Sequence, residues 1–308
     1  MTARATPAPT DRRALRGVRL RILAWYAAAA RDVPWRRTTD PWAVLVSEVM
    51  LQQTQASRVA DRFAGFLARF PTPAAMAAAP TADVLAAWSG LGYNRRALAL
   101  HRAGQQLATT RWPSTVAGLQ ALPGVGPYTA RAVAALAFGQ PVGAVDTNVR
   151  RWLVRRFGLP PPATPARLQA VADGLAAADP DTTATGAADW MHASMEFGAV
   201  ICRARSPRCE ICPVRAGCPS RGSASHVPVP RQMAFAGSER LLRGRLLREL
   251  SSGARHAMPL ARARELGEGH DLERVLQRLE RDGLVHRRGA WLRLGPGPAS
   301  GAPSTIGS

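Results

Sequence analysis

Two acidic residues in apolar surroundings are the strongest candidates for acid–base chemistry. Glu48 lies in the run PWAVLVSEVML, where nearly every neighbour is apolar. Such a carboxyl group is either paired, for example with an arginine, or has its pKa raised by desolvation, as a general acid requires. Asp146 follows the loop PVGAV, where it can cap the next predicted helix, 147–157, or face a cleft. The residues alone favour a structural role for both, an ion pair for Glu48 and a helix cap for Asp146. A catalytic role stays open for each.

A glycine-rich turn, LPGVG at 122–126, precedes the second of these carboxylates. Pro123 fixes its own φ, and Gly124 and Gly126 can adopt positive φ, so their amides can converge on one anion at the start of a helix. Such a turn suits a DNA phosphate. The Ala-rich segment 128–138 is predicted to be a buried helix that ends at Gly139.

The chain has four cysteines, and their spacing points to a metal site. They form the pattern Cx6Cx2Cx5C at Cys202, Cys209, Cys212 and Cys218. Four thiols so close together in a protein expected to be cytoplasmic indicate metal binding rather than disulfides. Zinc sites usually contain two close cysteine pairs and this pattern has one, so an iron–sulfur cluster is at least as good a match as zinc.

Composition limits the classes of function. The 308 residues allow two domains and a small third, and the net charge of +20 predicts a polyanionic partner such as nucleic acid. We expect a cytoplasmic protein, because no apolar run reaches membrane-spanning length and residues 1–10 resemble no secretory signal. All 41 basic residues are arginines, so no lysine can form a Schiff base and only the α-amino group is left for that role.

Further polar and aromatic residues lie where helices are predicted to begin or end. A helix is predicted over 12–30, and Asp40 followed by Pro41 predicts the start of another that continues to residue 70. Polar side chains cluster in this second helix at Gln52, Gln53, Thr54 and Gln55, where the glutamine amides can bind bases or face solvent. Tyr93, beside Gly92, can wedge between base pairs or simply pack.

Three of these motifs together resemble a known group of enzymes. LPGVGPYTA followed by VDTN is similar to the helix-hairpin-helix and catalytic aspartate of the DNA glycosylase superfamily that includes endonuclease III. SEVMLQQTQ resembles the adenine-specific branch, MutY, and the cysteine spacing resembles the superfamily's [4Fe–4S] loop. The resemblance covers roughly 12–218. It implies an all-α, two-lobed fold, with a six-helix lobe at 35–145 and a cluster-bearing lobe at 12–34 and 146–218.

The resemblance also implies a role for each candidate residue. Glu48 would protonate the adenine leaving group, and Asp146 would stabilise an oxocarbenium-like sugar or attack it transiently, with Tyr128 and Asn148 supporting them. Gln53 and Tyr93 match positions that the family uses to enter the DNA stack near the extruded adenine and its partner base. DNA binding is predicted for Gln52, Gln53, Tyr93, Leu122, Gly124, Gly126 and Thr129. A [4Fe–4S] cluster is implied for the four cysteines.

The implied activity is removal of adenine mispaired with 8-oxoguanine or guanine in double-stranded DNA, leaving an abasic site. We expect a nucleoid-associated protein, and a monomer because nothing in the sequence suggests a coiled coil. Endonuclease III-like enzymes have a lysine two places after GVG that attacks the sugar and cuts the strand, whereas this chain has Tyr128. The expected enzyme is therefore a monofunctional hydrolase. The alternatives are a glycosylase for damaged pyrimidines and a non-catalytic DNA-binding module.

The C-terminal segment departs from the resemblance. Many MutY proteins continue into a Nudix-like domain that reads 8-oxoguanine, but only about 90 residues follow Cys218 here. We predict a linker at 219–233 and, at 234–295, three helices and one short strand in a winged-helix-like segment. Disordered tails are predicted at 1–11 and 296–308.

Overall fold

The computed structural model describes residues 11–159, 163–179, 184–222 and 238–297. It is mostly helical, as predicted, and it divides into two compact units. The first unit contains the described residues of 1–49 and 112–230, and the second contains those of 50–111 and 231–308. The lobe boundaries implied by the resemblance stay predictions. The predicted tails, apart from Asp11 and residues 296–297, and most of the predicted linker lie outside the described residues.

The described residues form fourteen α-helices and three short strands. The helices are α1 (Arg12–Ala29), α2 (Pro41–Leu51), α3 (Ala56–Arg69), α4 (Pro73–Ala78), α5 (Thr81–Ala87), α6 (Arg95–Thr109), α7 (Val116–Gln120), α8 (Pro127–Phe138), α9 (Thr147–Phe157), α10 (Pro165–Ala176), α11 (Ala184–Val200), α12 (Glu239–Ser252), α13 (Leu260–Leu266) and α14 (Leu272–Arg281). The strands are β1 (Ala257–Pro259), β2 (Val285–Arg288) and β3 (Trp291–Leu294). No helix within the described ranges is long and apolar enough to cross a membrane.

Local sequence signals explain several helix boundaries. Asp40 begins α2, since its Oδ1 accepts a hydrogen bond of 2.8 Å from the Ala43 amide. Gly139 ends α8 in the left-handed conformation, with φ +63°. Helix α9 begins after Asp146 and ends at Phe157, as predicted.

The core of the first unit is built around α9. Trp152 on this helix is fully buried, and its ring packs edge-on against Phe197 of α11, with 5.6 Å between ring centroids. The Trp152 indole N–H donates to the Ser194 carbonyl at 3.1 Å, which satisfies its polar atom. Leu15, Val18 and Ile22 of α1 belong to the same core. These contacts hold α9, and hence the residues at its N-terminus, in one position.

The single helix predicted from 41 to 70 is wrong, because the chain breaks between α2 and α3. Gln53 adopts a left-handed φ of +52° in this break. The Arg96 guanidinium donates to the carbonyls of Met50 and Gln52, which a continuing helix would have bonded to its own amides. The polar cluster at residues 52–55 therefore lies in a turn rather than on a helix face.

The second unit combines α3–α6 with a C-terminal domain, which we define as residues 238–297. The order of elements in this domain is α12, β1, α13, α14, β2 and β3, and the sheet order is β1-β3-β2, antiparallel throughout. This is a winged-helix arrangement, as predicted. The prediction of a single strand over 286–294 is wrong, since the segment turns at Gly289, where φ is +59°, and forms the hairpin of β2 and β3.

Close packing of α11 on α9 predicts a stability effect at Gly198. A Cβ added there would lie 2.7 Å from the Asn148 carbonyl oxygen, so α9 would have to move. We expect Gly198→Ala to lower the free energy of unfolding by about 2 kcal/mol, measured by chemical denaturation. Gly65→Ala in α3 is the control, because a Cβ there meets no atom within 4 Å and should stabilise by about 0.5–1 kcal/mol. Equal changes in the two variants would contradict the packing argument.

Candidate active site

Glu48 lies in the last turn of α2 and is 3% exposed. Among the described residues no arginine forms an ion pair with it, and its hydrogen-bond partner is the Tyr128 hydroxyl. Burial, followed by the negative charge of Asp146, raises the pKa of Glu48 to about 7, and the Tyr128 hydrogen bond offsets part of this rise. The buried ion pair that the residue types favoured is therefore wrong, and Glu48 can hold a proton near neutral pH.

Asp146 is both a helix cap and a member of the site. Its Oδ1 accepts from the Val149 amide at 2.6 Å, and its Oδ2 accepts from the Asn148 side-chain amide at 2.8 Å. Asp146 therefore caps α9 and also belongs to the candidate site, so its structural and functional roles are compatible. The positive end of the α9 dipole also favours a negative charge at this position.

Tyr128, in the first turn of α8, completes this group. Its hydroxyl hydrogen-bonds to Glu48 and lies 2.8 Å from the Met195 sulfur. Burial, together with the negative charges of Glu48 and Asp146, raises the pKa of Tyr128 well above its ordinary value. The phenol therefore stays protonated and acts as a donor. The structure thus brings together all four predicted catalytic residues, Glu48, Tyr128, Asp146 and Asn148.

Arg151 is a supporting residue that the sequence analysis missed. Its guanidinium donates to Asn148 Oδ1 at 2.9 Å, to the Gly198 carbonyl at 2.6 Å and to the Cys202 carbonyl at 2.7 Å. A continuous series of hydrogen bonds therefore runs from Asp146 through Asn148 and Arg151 to the start of the cysteine segment. The three-residue spacing of Asn148 and Arg151 on a helix was the available signal.

A second buried glutamate, Glu196, was also missed. It is 1% exposed and accepts hydrogen bonds from Arg31 at 2.7 Å and from Arg36 at 2.8 Å. Burial alone would raise the pKa of Glu196, but the hydrogen bonds and charges of the two arginines outweigh it and lower the pKa. Glu196 therefore stays ionised, whereas Glu48 holds its proton. The arginines are about 160 residues away in sequence, so no local pattern indicated this group.

The glycine turn lies directly before α8. Gly124 has a left-handed φ of +76°, whereas Gly126 has φ −80° and acts as the N-cap of α8. Leu122 and Thr129 are 3% and 2% exposed. Their contribution to DNA binding would therefore come from backbone amides rather than side chains. The anion site at this helix start stays a prediction.

The other predicted DNA-contacting residues, Gln52, Gln53 and Tyr93, lie together in the second unit. Gln53 and Tyr93 both adopt left-handed backbone conformations, with φ +52° and +46°, and Tyr93 is 50% exposed. Non-glycine residues rarely adopt this conformation, so the surrounding structure holds these side chains in place. All three line one cleft of about 380 Å³, together with Asn94, Arg95, Arg96 and Arg243.

The four cysteines line a single cavity beside two buried arginines. Arg155 Nη1 lies 3.6 Å from the Cys202 sulfur, and Arg156 donates to the Gly217 carbonyl at 3.0 Å. In the described part of the chain, no three His, Cys, Asp or Glu side chains are arranged to hold a single metal ion. Thiols placed around a cavity suit a multi-iron cluster, in which each iron binds one thiolate, better than one zinc ion. The arginine charges would balance the negative charge of such a cluster.

Comparison with known proteins agrees with this geometry. Residues 46–175 match the HhH-GPD superfamily base excision DNA repair protein, and residues 202–218 match the iron–sulfur binding domain of endonuclease III. The adenine DNA glycosylase of Mycobacterium tuberculosis is 42% identical over 281 residues, covering 86% of this chain and 89% of that protein. The chain belongs to the adenine DNA glycosylase family. The relative of the same name from Mycolicibacterium smegmatis is 42% identical over 277 residues, with 86% and 92% coverage.

A solved structure shares the fold of this family member. It is a thermostable thymine-DNA glycosylase, 29% identical, with a TM-score of 0.60 and coverage of 67% of this chain and 96% of that one. The iron–sulfur match contains all four cysteines. The predicted [4Fe–4S] cofactor is therefore confirmed, and zinc is not the cofactor.

The raised pKa of Glu48 predicts that folding stability depends on pH. The native group titrates near 7 and an unfolded glutamate near 4.5, so the contribution of Glu48 to the free energy of unfolding is greatest below pH 4.5 and falls as the pH rises toward 7. Between pH 5.5 and 8 this loss should be about 2 kcal/mol. Chemical denaturation at both pH values should show a smaller loss for Glu48→Gln than for the native chain. Identical losses would show that Glu48 titrates normally.

Proposed function

We propose that this protein is a monofunctional DNA glycosylase that removes adenine paired with 8-oxoguanine or guanine by hydrolysing the N-glycosidic bond and leaving an abasic site. The names of the relatives support adenine as the base. The observation that carries the proposal is the pairing of a carboxyl group that is protonated near neutral pH, Glu48, with a second carboxylate, Asp146, in one site.

Glu48 is the general acid in this proposal. Adenine is a poor leaving group as an anion, so a proton delivered to a ring nitrogen lets it depart neutral. A pKa of about 7 gives Glu48 both a bound proton and a strong enough tendency to release it. The Tyr128 hydrogen bond fixes the direction of the carboxyl group. The adenine must leave the base stack to reach this buried group.

Asp146 acts on the sugar. Loss of the base leaves positive charge on the ring carbon and oxygen, and a nearby carboxylate either stabilises this charge or forms a transient bond before water attacks. The Val149 amide and the Asn148 side chain each hold one carboxylate oxygen. The carboxylate therefore does not need to reorient during the reaction.

The absence of lysine from the sequence supports the monofunctional assignment. Strand cleavage through a Schiff base requires an amine at the sugar, and position 128 has a phenol, which cannot form one. The endonuclease III-like alternative for damaged pyrimidines requires lysine at this position. The non-catalytic alternative gives no reason for an acid with a raised pKa beside a second carboxylate.

The proposed substrate is double-stranded DNA containing the mispaired adenine, bound by a monomer at the nucleoid. The net charge of +20 favours this polyanion, and the turn before α8 offers backbone amides to a phosphate. The four cysteines hold the [4Fe–4S] cluster, which supplies a covalent cross-link for the loop 202–218. Arg151 connects that loop to Asn148.

Single-turnover excision from a duplex with adenine opposite 8-oxoguanine tests the assignment. We expect strand breaks from the native chain only after alkali treatment, because an abasic site is cut by alkali. Glu48→Gln removes the proton donor and Asp146→Asn removes the charge, so each should lower the rate by at least about 10²-fold. Breaks without alkali would contradict the monofunctional assignment, and tight binding without excision of adenine would contradict the substrate.

The protonation state of Glu48 also predicts the pH dependence of this rate. The general acid must carry its proton, and the protonated fraction falls as the pH rises through about 7. The single-turnover rate at saturating protein should therefore fall about tenfold per pH unit above pH 8. Gly65→Ala should give the same profile as the native chain. A rate that stays constant from pH 6 to 9 would exclude Glu48 as the rate-limiting proton donor.

A further inference from the structure

The C-terminal domain contributes a cation to the cleft that holds Gln53 and Tyr93. Arg243 of α12 lines this cleft with Arg95 and Arg96. The other lining residues are Gln52, Gln53, Tyr93 and Asn94, so among the described residues no acidic side chain lines it. The cleft therefore combines amides, an exposed aromatic ring and positive charge, which are the groups that bind a nucleic acid strand.

Ion pairs within the second unit fix the position of Arg243. Asp282, after α14, accepts from Arg243 Nη2 at 3.0 Å and lies 3.8 Å from Arg95 Nη1. One carboxylate thus faces two guanidinium groups, which leaves one positive charge in excess at the edge of the cleft. The third arginine of the cleft, Arg96, has a different kind of partner from Arg95 and Arg243. Its guanidinium donates to backbone carbonyls, including those of Met50 and Gly92.

The whole C-terminal domain is held against α5 and α6. His256 Nε2 lies 2.9 Å from Asp83 Oδ1 at the start of α5, and a Cβ at Gly283 would lie 3.7 Å from Leu98 of α6. Helix α12 packs along α5. Arg243 is therefore placed by a folded interface and not by a flexible segment.

The helix that usually reads DNA in this arrangement is poorly suited to do so here. In a helix-turn-helix the second helix enters the major groove, and in this domain that helix is α14. Glu273 and Glu280 on α14 pair with Arg287 at 2.9 and 2.7 Å. Arg278 pairs with Glu239 of α12, and Arg274 pairs with both Glu239 and Asp271, so two carboxylates face these two arginines. Most of the α14 charges are thus neutralised within the domain.

We propose that Arg243 of the C-terminal domain binds a backbone phosphate of the DNA in the cleft beside Gln53 and Tyr93. The domain would then extend the DNA-binding surface of the second unit rather than read DNA through α14. We expect a phosphate rather than a base edge, because at least about half of protein–DNA hydrogen bonds go to the phosphate and sugar backbone. This inference rests on the proposed function, since it requires a DNA substrate.

The test compares Arg243→Gln with Arg281→Gln, a matched control on the exposed side of α14. The probes are duplexes containing 2′-fluoro-deoxyadenosine, which resists excision, opposite either 8-oxoguanine or guanine. Arg243→Gln should weaken binding about tenfold for both duplexes and reduce the slope of log Kd against log[NaCl] by about one. Arg281→Gln should leave both quantities unchanged. Arg243→Lys should keep most of the slope, because it keeps the charge.

Each other outcome has a distinct meaning. Native affinity and slope in a folded Arg243→Gln would overturn the inference, with folding checked by circular dichroism and by the iron–sulfur absorbance. Weakening confined to the 8-oxoguanine duplex would show base reading instead of phosphate binding. A loss in Arg281→Gln alone would assign DNA binding to α14. If the native chain binds DNA but excises no adenine, the proposed function is overturned. If the native chain excises adenine and Arg243→Gln binds DNA with native affinity, only the inference about Arg243 is overturned.

Discussion

The N-terminus of α9 is the constraint on which the candidate site depends. Asp146 has to cap this helix and present a carboxylate at the same time, which it does by giving one oxygen to the Val149 amide and the other to Asn148. The helix itself is fixed by Trp152, which is buried among aromatic rings of α11. Further along, Arg155 contacts the cysteine loop. One helix thus connects the core, the carboxylate and the cofactor loop.

The second constraint concerns the protonation of two buried glutamates in the first unit. Glu48 and Glu196 are equally inaccessible, but their pKa values shift in opposite directions. Two arginines compensate Glu196, so ionisation is favoured there despite burial. Glu48 has a neutral phenol and a neighbouring carboxylate instead, and both burial and that charge favour the protonated form. Glu48 therefore holds a proton near neutral pH while Glu196 stays ionised, and the difference follows from their partners.

Local sequence patterns predicted those features whose causes are local. The limits of α9, the cap at Asp40 and the end of α8 at Gly139 depend on residues within a few positions of each boundary. The break at 52–55 could not be predicted, because the carbonyls that end α2 are taken by Arg96, more than forty residues later. For the same reason the partners of Glu196 were missed. The roles of Glu48 and Asp146 came from a family resemblance rather than from their local patterns, which favoured structural roles.

The C-terminal domain shows why fold and function need separate arguments. Its helices were predictable from their apolar periodicity, and their order alone indicates a DNA-reading winged helix. The charges argue against this reading, because Glu273 and Glu280 on α14 would lie beside phosphates if that helix entered a groove. Both glutamates pair with Arg287 of the same domain. Asp282, by contrast, faces two arginines and cannot neutralise both. Positive charge in excess of Asp282 therefore lies at the cleft, whereas most charged residues of α14 are paired within the domain. Electrostatics thus favours a docked domain that extends the proposed DNA-binding surface of the second unit.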